Sequence, residues 1–168
     1  MKRDQKRIAY QFLGLLVPVL TIISPNWISI AGVAPRWAEL WLLPWSLEEG
    51  PWAGAFGGLC LGMILDSINL SGTTQVPALM MIGYCWGLVG EKKQFHDQNF
   101  SLGLLAWMGS LASGLFIWIQ QLFLIKGSVL LLFNAWAFYT LFSASIMTAL
   151  IAPLFCSWML RIFFQGKT

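Results

Sequence analysis

Apolar residues fill most of this chain, and short polar breaks divide them into six runs: Ile8 to Ile23, Pro35 to Leu47, Pro51 to Ile68, Gln75 to Gly90, Phe100 to Ile125 and Ser128 to Phe164. Unbroken runs approaching 20 apolar residues have the length of membrane-crossing helices. The second run is the exception: its thirteen residues make a helix of only ~20 Å against a ~30 Å hydrocarbon core. Pro35 suits the start of that helix and Pro44 should disturb its end. Pro18 is placed to kink the first span. The last run is too long for one straight span, so the pattern predicts a short interfacial piece, then a helix from about Ala135 with Pro153 as a kink.

Within the third run, Gly50, Gly54, Gly58, Gly62 and Asp66 stand four residues apart in GPWAGAFGGLCLGMILDS. Positions four apart share a helix face. Steps of four drift about 40° each, the track of a partner crossing right-handedly near −40°. Glycine costs a helix stability unless close backbone approach is needed. The stripe therefore predicts tight packing, against another helix of this chain or against a partner's. Weaker small-residue faces recur at Gly83 and Gly87, at Ala106, Ser110 and Gly114, and at Ser145 and Ala149.

Composition sets the class. Of 168 residues 58% are hydrophobic and 10% charged, with a mean hydropathy of +0.71, where soluble domains carry about 25% charged residues. The pattern is that of an all-α membrane protein, one integral domain over residues 1–168, with no room for an ATPase or nucleic-acid-binding module. The N-terminal MKRDQKR and apolar IAYQFLGLLVPVL have the layout of a signal peptide, with Ser29-Ile30-Ala31 as a small-x-small site. The rest of the chain is equally apolar, so an uncleaved first span is expected.

Charge then sets topology. With six crossings and both termini cytoplasmic, eight basic residues (Lys2, Arg3, Lys6, Arg7, Lys92, Lys93, Arg161 and Lys167) lie inside and two (Arg36 and Lys126) outside. If the short second run does not cross, the split is five to five. The positive-inside rule favours the six-helix bundle, N-in and C-in. Trp27, Trp37, Trp45 and Trp52 are expected as interfacial anchors. Cys60, Cys85 and Cys156 have no metal or redox spacing and are expected in the core.

Few residues carry candidate chemistry. Asp66 is a carboxylate at the outer end of the glycine helix, a functional candidate or a cap for the loop that follows. Glu39 stands three residues after Arg36, in reach of an ion pair. With Asn69, these two acids could line a polar pocket near the outer face. Glu48 and Glu49 are expected in a solvated turn. His96 is alone. There is no HExxH, no GxSxG and no phosphate-binding loop; GMILD is not the GxGD of an intramembrane aspartyl protease. The chain is therefore expected to be no enzyme and to hold no cofactor or metal.

The segment Pro35 to Tyr84 resembles the rod shape-determining MreD family. The resemblance rests on PRWAELWLLPW, on GLCLGMILD ending in G-x-x-x-G-x-x-x-D, on the polar turn with glycine that follows, and on an apolar helix bearing Tyr84. The chain departs from the family in having Ser71-Gly72-Thr73-Thr74 where a Leu-Gly is frequent. The resemblance implies a scaffold of the bacterial inner membrane that binds the transmembrane helix of MreC and, indirectly, MreB, RodA and a penicillin-binding protein. It also implies a fold similar to the substrate-binding subunits of energy-coupling-factor transporters. Two other roles stay open: a vitamin-type substrate-binding subunit, and an ion-coupled carrier using Asp66. The latter lacks a second clear intramembrane charge.

Overall fold

In a computed structural model, the structure describes Tyr10, Gly14 and residues 16–23, 35–68, 73–92, 99–124 and 135–164. These residues are all-helical apart from turns. The helices are α1 (Leu16–Ile23), α2 (Trp37–Glu49), α3 (Pro51–Ile68), α4 (Val76–Lys92), α5 (Asn99–Leu124) and α6 (Ala135–Met159), the last continuing into a π-helical turn at Leu160–Phe164. The helices follow the apolar runs closely, including the start of α6 at Ala135. Three stretches are long and apolar enough to cross a membrane: Pro51–Ile68, Leu102–Gln121 and Phe138–Ile162. Trp52, Phe56 and Met63 on α3, Met81 on α4, Phe123 on α5 and Leu154 on α6 point outward. So much exposed apolar surface marks a membrane-facing exterior.

The short helix α2 is the hub. It packs against α1, α3, α4, α5 and α6, and every residue from Ala38 to Ser46 is buried. A helix buried on every side is a core helix, and the thirteen residues of α2 fill the centre of the bundle. Pro44 does not end it; the helix runs on to Glu49. Proline lacks the N–H that would serve the carbonyl four residues back, and the Leu40 carbonyl instead receives the Cys156 thiol of α6 at 3.8 Å. The Tyr10 hydroxyl donates to the Trp41 carbonyl at 2.7 Å, and its ring stacks on Trp41 and Trp45 with centroids 5.0 and 5.5 Å away.

Trp45 is thus a core residue rather than an interfacial anchor, because its position on the hub turns it inward; its indole N–H donates to the Ala53 carbonyl at 3.3 Å. Trp52 is exposed as expected, and Trp37 is half-buried. Trp27 lies outside the described residues. Of the three cysteines only Cys156 is buried; Cys60 and Cys85 are exposed. They sit on the outer faces of α3 and α4, where a small apolar thiol is compatible with lipid. Hydroxyls on the long helices donate within their own helix: Ser67 to Met63, Ser145 to Leu141 and Thr148 to Ala144. This satisfies polar groups where water is absent.

Candidate functional site

The glycine ladder is consumed by the chain's own α4. A Cβ on Gly54 would strike the Gly83 carbonyl, one on Gly58 the Leu79 carbonyl, and one on Gly62 would come within 2.6 Å of the Val76 Cα. The contact is reciprocal: a Cβ on Gly83 would strike the Gly54 carbonyl and one on Gly87 the Pro51 backbone, while one on Gly90 would strike the Leu47 carbonyl of α2. Such backbone-to-backbone approach is open only to glycine. Gly50 is not part of the stripe. It is the single residue joining α2 to α3, with φ of 91°, a left-handed value that glycine adopts without strain. Its N–H caps α2 on the Ser46 carbonyl at 3.1 Å, and Pro51 then opens α3. Outside the ladder, Trp52 and Tyr84 pair edge-to-face at 5.8 Å.

Asp66 is spent on the turn between α3 and α4. Its Oδ1 accepts the Gln75 backbone N–H at 2.8 Å, closing the entrance to α4. The same turn is gripped from α5 by Gln120, whose side chain accepts from the Thr74 N–H and donates to the Thr74 carbonyl, both at 3.0 Å. Sequence reasoning missed Gln120; the signal was an amide near the end of an otherwise apolar helix. Asn69 lies outside the described residues, as does His96.

Glu39 is the one fully buried acid among the described residues. It is 2% exposed and pairs with Arg36 at 3.4 Å. Its Oε1 also accepts a very short hydrogen bond from the Ser113 hydroxyl of α5. The Arg36 Nη1 donates to Ser113 Oγ at 2.7 Å, and the Arg36 backbone N–H donates to Thr148 Oγ1 of α6 at 3.1 Å. The start of α2 is thereby tied to two long helices. Gly114 leaves space for this arrangement, since a Cβ there would meet Arg36 Nη2 at 2.9 Å. The expected ion pair is present, but its acid is fully buried rather than near an open surface. Ser113 and Thr148 were not singled out by the sequence, which gave only small-residue faces around them.

A cavity of about 280 Å³ opens beside this junction, lined by Thr21, Arg36, Glu39, Gln75, Ser113 and Ile117 among others. Of the residues expected to line a polar pocket, Glu39 lines this cavity and Asp66 is not among its lining residues, while Gln75, whose backbone N–H Asp66 accepts, is. Glu39 Oε2 and Ser110 Oγ are both buried, and the Ser110 hydroxyl stands beside the Glu39 carboxylate as a further donor to it. Glu48 and Glu49 are half-buried at the end of α2, not in an open turn. No family model, curated protein or solved structure matches the chain.

Proposed function

We propose that the chain is a non-enzymatic scaffold of the bacterial cell-elongation machinery, shaping the cell and its peptidoglycan synthesis by binding MreC and, through it, MreB, RodA and a penicillin-binding protein. It would lie in the inner membrane with both termini cytoplasmic. The observation that carries this reading is the pair of segments PRWAELWLLPW and GLCLGMILD. They form the hub α2 and the packed half of α3, so the residues behind the MreD resemblance are those that build a rigid frame. A frame of this kind supports a binding role. Because α4 covers the glycine face, the MreC helix would seat on another outward face.

Co-purification tests this reading. MreC expressed in the same cells should be retained by the tagged chain in mild detergent. Its absence from the eluate, with both proteins inserted in the membrane, would sink the proposal. The cavity beside Glu39 favours a second reading, a substrate-binding subunit of a vitamin-type transporter. Vitamin released from the purified protein and identified by mass spectrometry would bring that reading forward.

A further inference from the structure

We propose that a second cavity, between Gly14, α2 and α3, is a binding site for a single lipid acyl chain. It holds about 450 Å³, with Gly14, Trp41, Trp45, Gly57, Leu61 and Ile64 among its walls. That volume lies inside the ~300–1,000 Å³ range of small-molecule pockets. Its floor belongs to the core: Trp41, Trp45 and Leu61 are 6%, 8% and 3% exposed, and the two indoles lie nearly parallel with centroids 5.9 Å apart. Its rim belongs to the membrane face. Phe56 and Cys60 also line the cavity, and both are exposed on a helix long and apolar enough to cross a bilayer. The cavity is therefore continuous with the lipid-facing surface of α3 and reaches inward to the hub.

The chemistry of the walls selects the occupant. The Trp45 N–H is used on the Ala53 carbonyl and the Trp41 N–H is itself buried, which leaves the Cys60 thiol, a weak donor, as the polar side chain at the wall. A trapped water needs about two to four polar partners, so water is a poor filling. An empty cavity forfeits dispersion contacts along its whole wall. Hydrocarbon needs no polar partner, and the lipid beside α3 supplies it. Shape points the same way. Ala53, Gly57, Cys60 and Ile64 all line the cavity and share one face of α3, not the face that α4 covers. They run ~16 Å along the helix axis, about the depth of one leaflet of a ~30 Å hydrocarbon core. Over that length the volume leaves a cross-section on the order of 30 Å², room for a chain but not for a helix ~10–12 Å across.

The test uses the full chain without MreC, so this proposal and the scaffold reading fail separately. The chain is placed in phosphatidylcholine nanodiscs doped with a phosphatidylcholine that carries a diazirine midway down one acyl chain. After photolysis the adducts are mapped by mass spectrometry. Trp41, Trp45 and Leu61 should carry at least as much label as Phe123 and Leu154, although these last are 84% and 78% exposed. Trp86, which is as buried as the cavity floor but lies outside the cavity, should carry none. Cys60→Trp, which places a large ring at the rim, should cut the label on the floor at least fivefold and leave Phe123 and Leu154 unchanged. If that variant does not fold, the ratio of Trp45 to Trp86 label in the parent decides alone. Label that simply follows exposure, or an undiminished floor label in Cys60→Trp, would overturn the proposal. An unlabelled floor overturns it as well. In that case a Cys60-linked dimer, formed on mild oxidation of the Cys85→Ser protein, would give the cavity to a second copy, and no dimer would give it to the chain's own segments.

Discussion

Along the α3–α4 seam, Gly54, Gly58 and Gly62 bring backbone against backbone with no side chain between. At the start of α2, Arg36, Glu39, Ser113 and Thr148 join three helices through polar side chains beside a cavity. Lipid offers no hydrophobic drive for one helix to choose another, so membrane bundles rely on close packing and on polar contacts. This protein separates the two. The seam has no slack and no chemistry left over. The junction has a buried ion pair and room beside it, which is why it, and not the glycine ladder, is the candidate site.

The largest effect should come from breaking the seam. Gly58→Leu places a branched side chain where the Leu79 backbone already sits. It should abolish folding, read as loss of a monodisperse peak on size exclusion in detergent. Gly58→Ala should cost about 1–3 kcal/mol, the usual range for overpacking. A folded, unshifted Gly58→Leu protein would show that α3 and α4 are not packed through this face.

Next is the junction. Arg36→Gln leaves Glu39 buried without its cation, a loss that reaches ~3–5 kcal/mol for fully buried pairs; partial exposure of Arg36 puts the expectation at the low end. The double variant Arg36→Gln, Glu39→Gln should recover part of that loss in a thermal double-mutant cycle. Additive effects would mean that the two residues do not act as a pair.

Ser113→Ala removes the hydroxyl between the acid and the guanidinium. Hydrogen bonds to charged groups contribute ~1.5–3 kcal/mol, so a drop in that range is expected. Ser113→Thr, which keeps the hydroxyl, should lie closer to the parent.

The smallest effect returns to α3. Gly57 is adjacent to Gly58, but a Cβ there meets the Trp45 and Leu42 side chains at 3.2–3.3 Å, and side chains can give way. Gly57→Ala should therefore change stability by about 1 kcal/mol or less, well below Gly58→Ala. Equal costs at the two positions would erase the distinction between backbone and side-chain contact.

Much of the fold was legible in the chain. Bounds of α3 and the start of α6 follow from apolar runs ended by polar turns, because a helix in lipid must be continuously apolar. The glycine spacing announced a close helix contact, and Arg36 with Glu39 announced a pair, since both are local features of one helix. Pro44 was expected to disturb the end of α2; the helix runs through it to Glu49, and the carbonyl that proline leaves without an N–H is met by Cys156 from more than a hundred residues away. Trp45, Cys60 and Cys85 were misplaced for a related reason. An apolar residue in a membrane protein has two apolar destinations, the core and the lipid, and hydropathy does not separate them.

The sequence by itself determined that the described residues are helical, that three stretches are long and apolar enough to cross a membrane, where α3 lies and α6 begins, and which residues permit the closest approach. Those properties depend on the hydropathy and sterics of neighbours along the chain. Only the tertiary structure decided that α4 fills the glycine face, that the short helix α2 is the hub, and that Glu39 is buried among Arg36, Ser110 and Ser113 beside a cavity while Asp66 accepts the Gln75 N–H ahead of α4. Each of these depends on which distant group arrives to satisfy a donor, an acceptor or a gap, and no local pattern encodes that arrival.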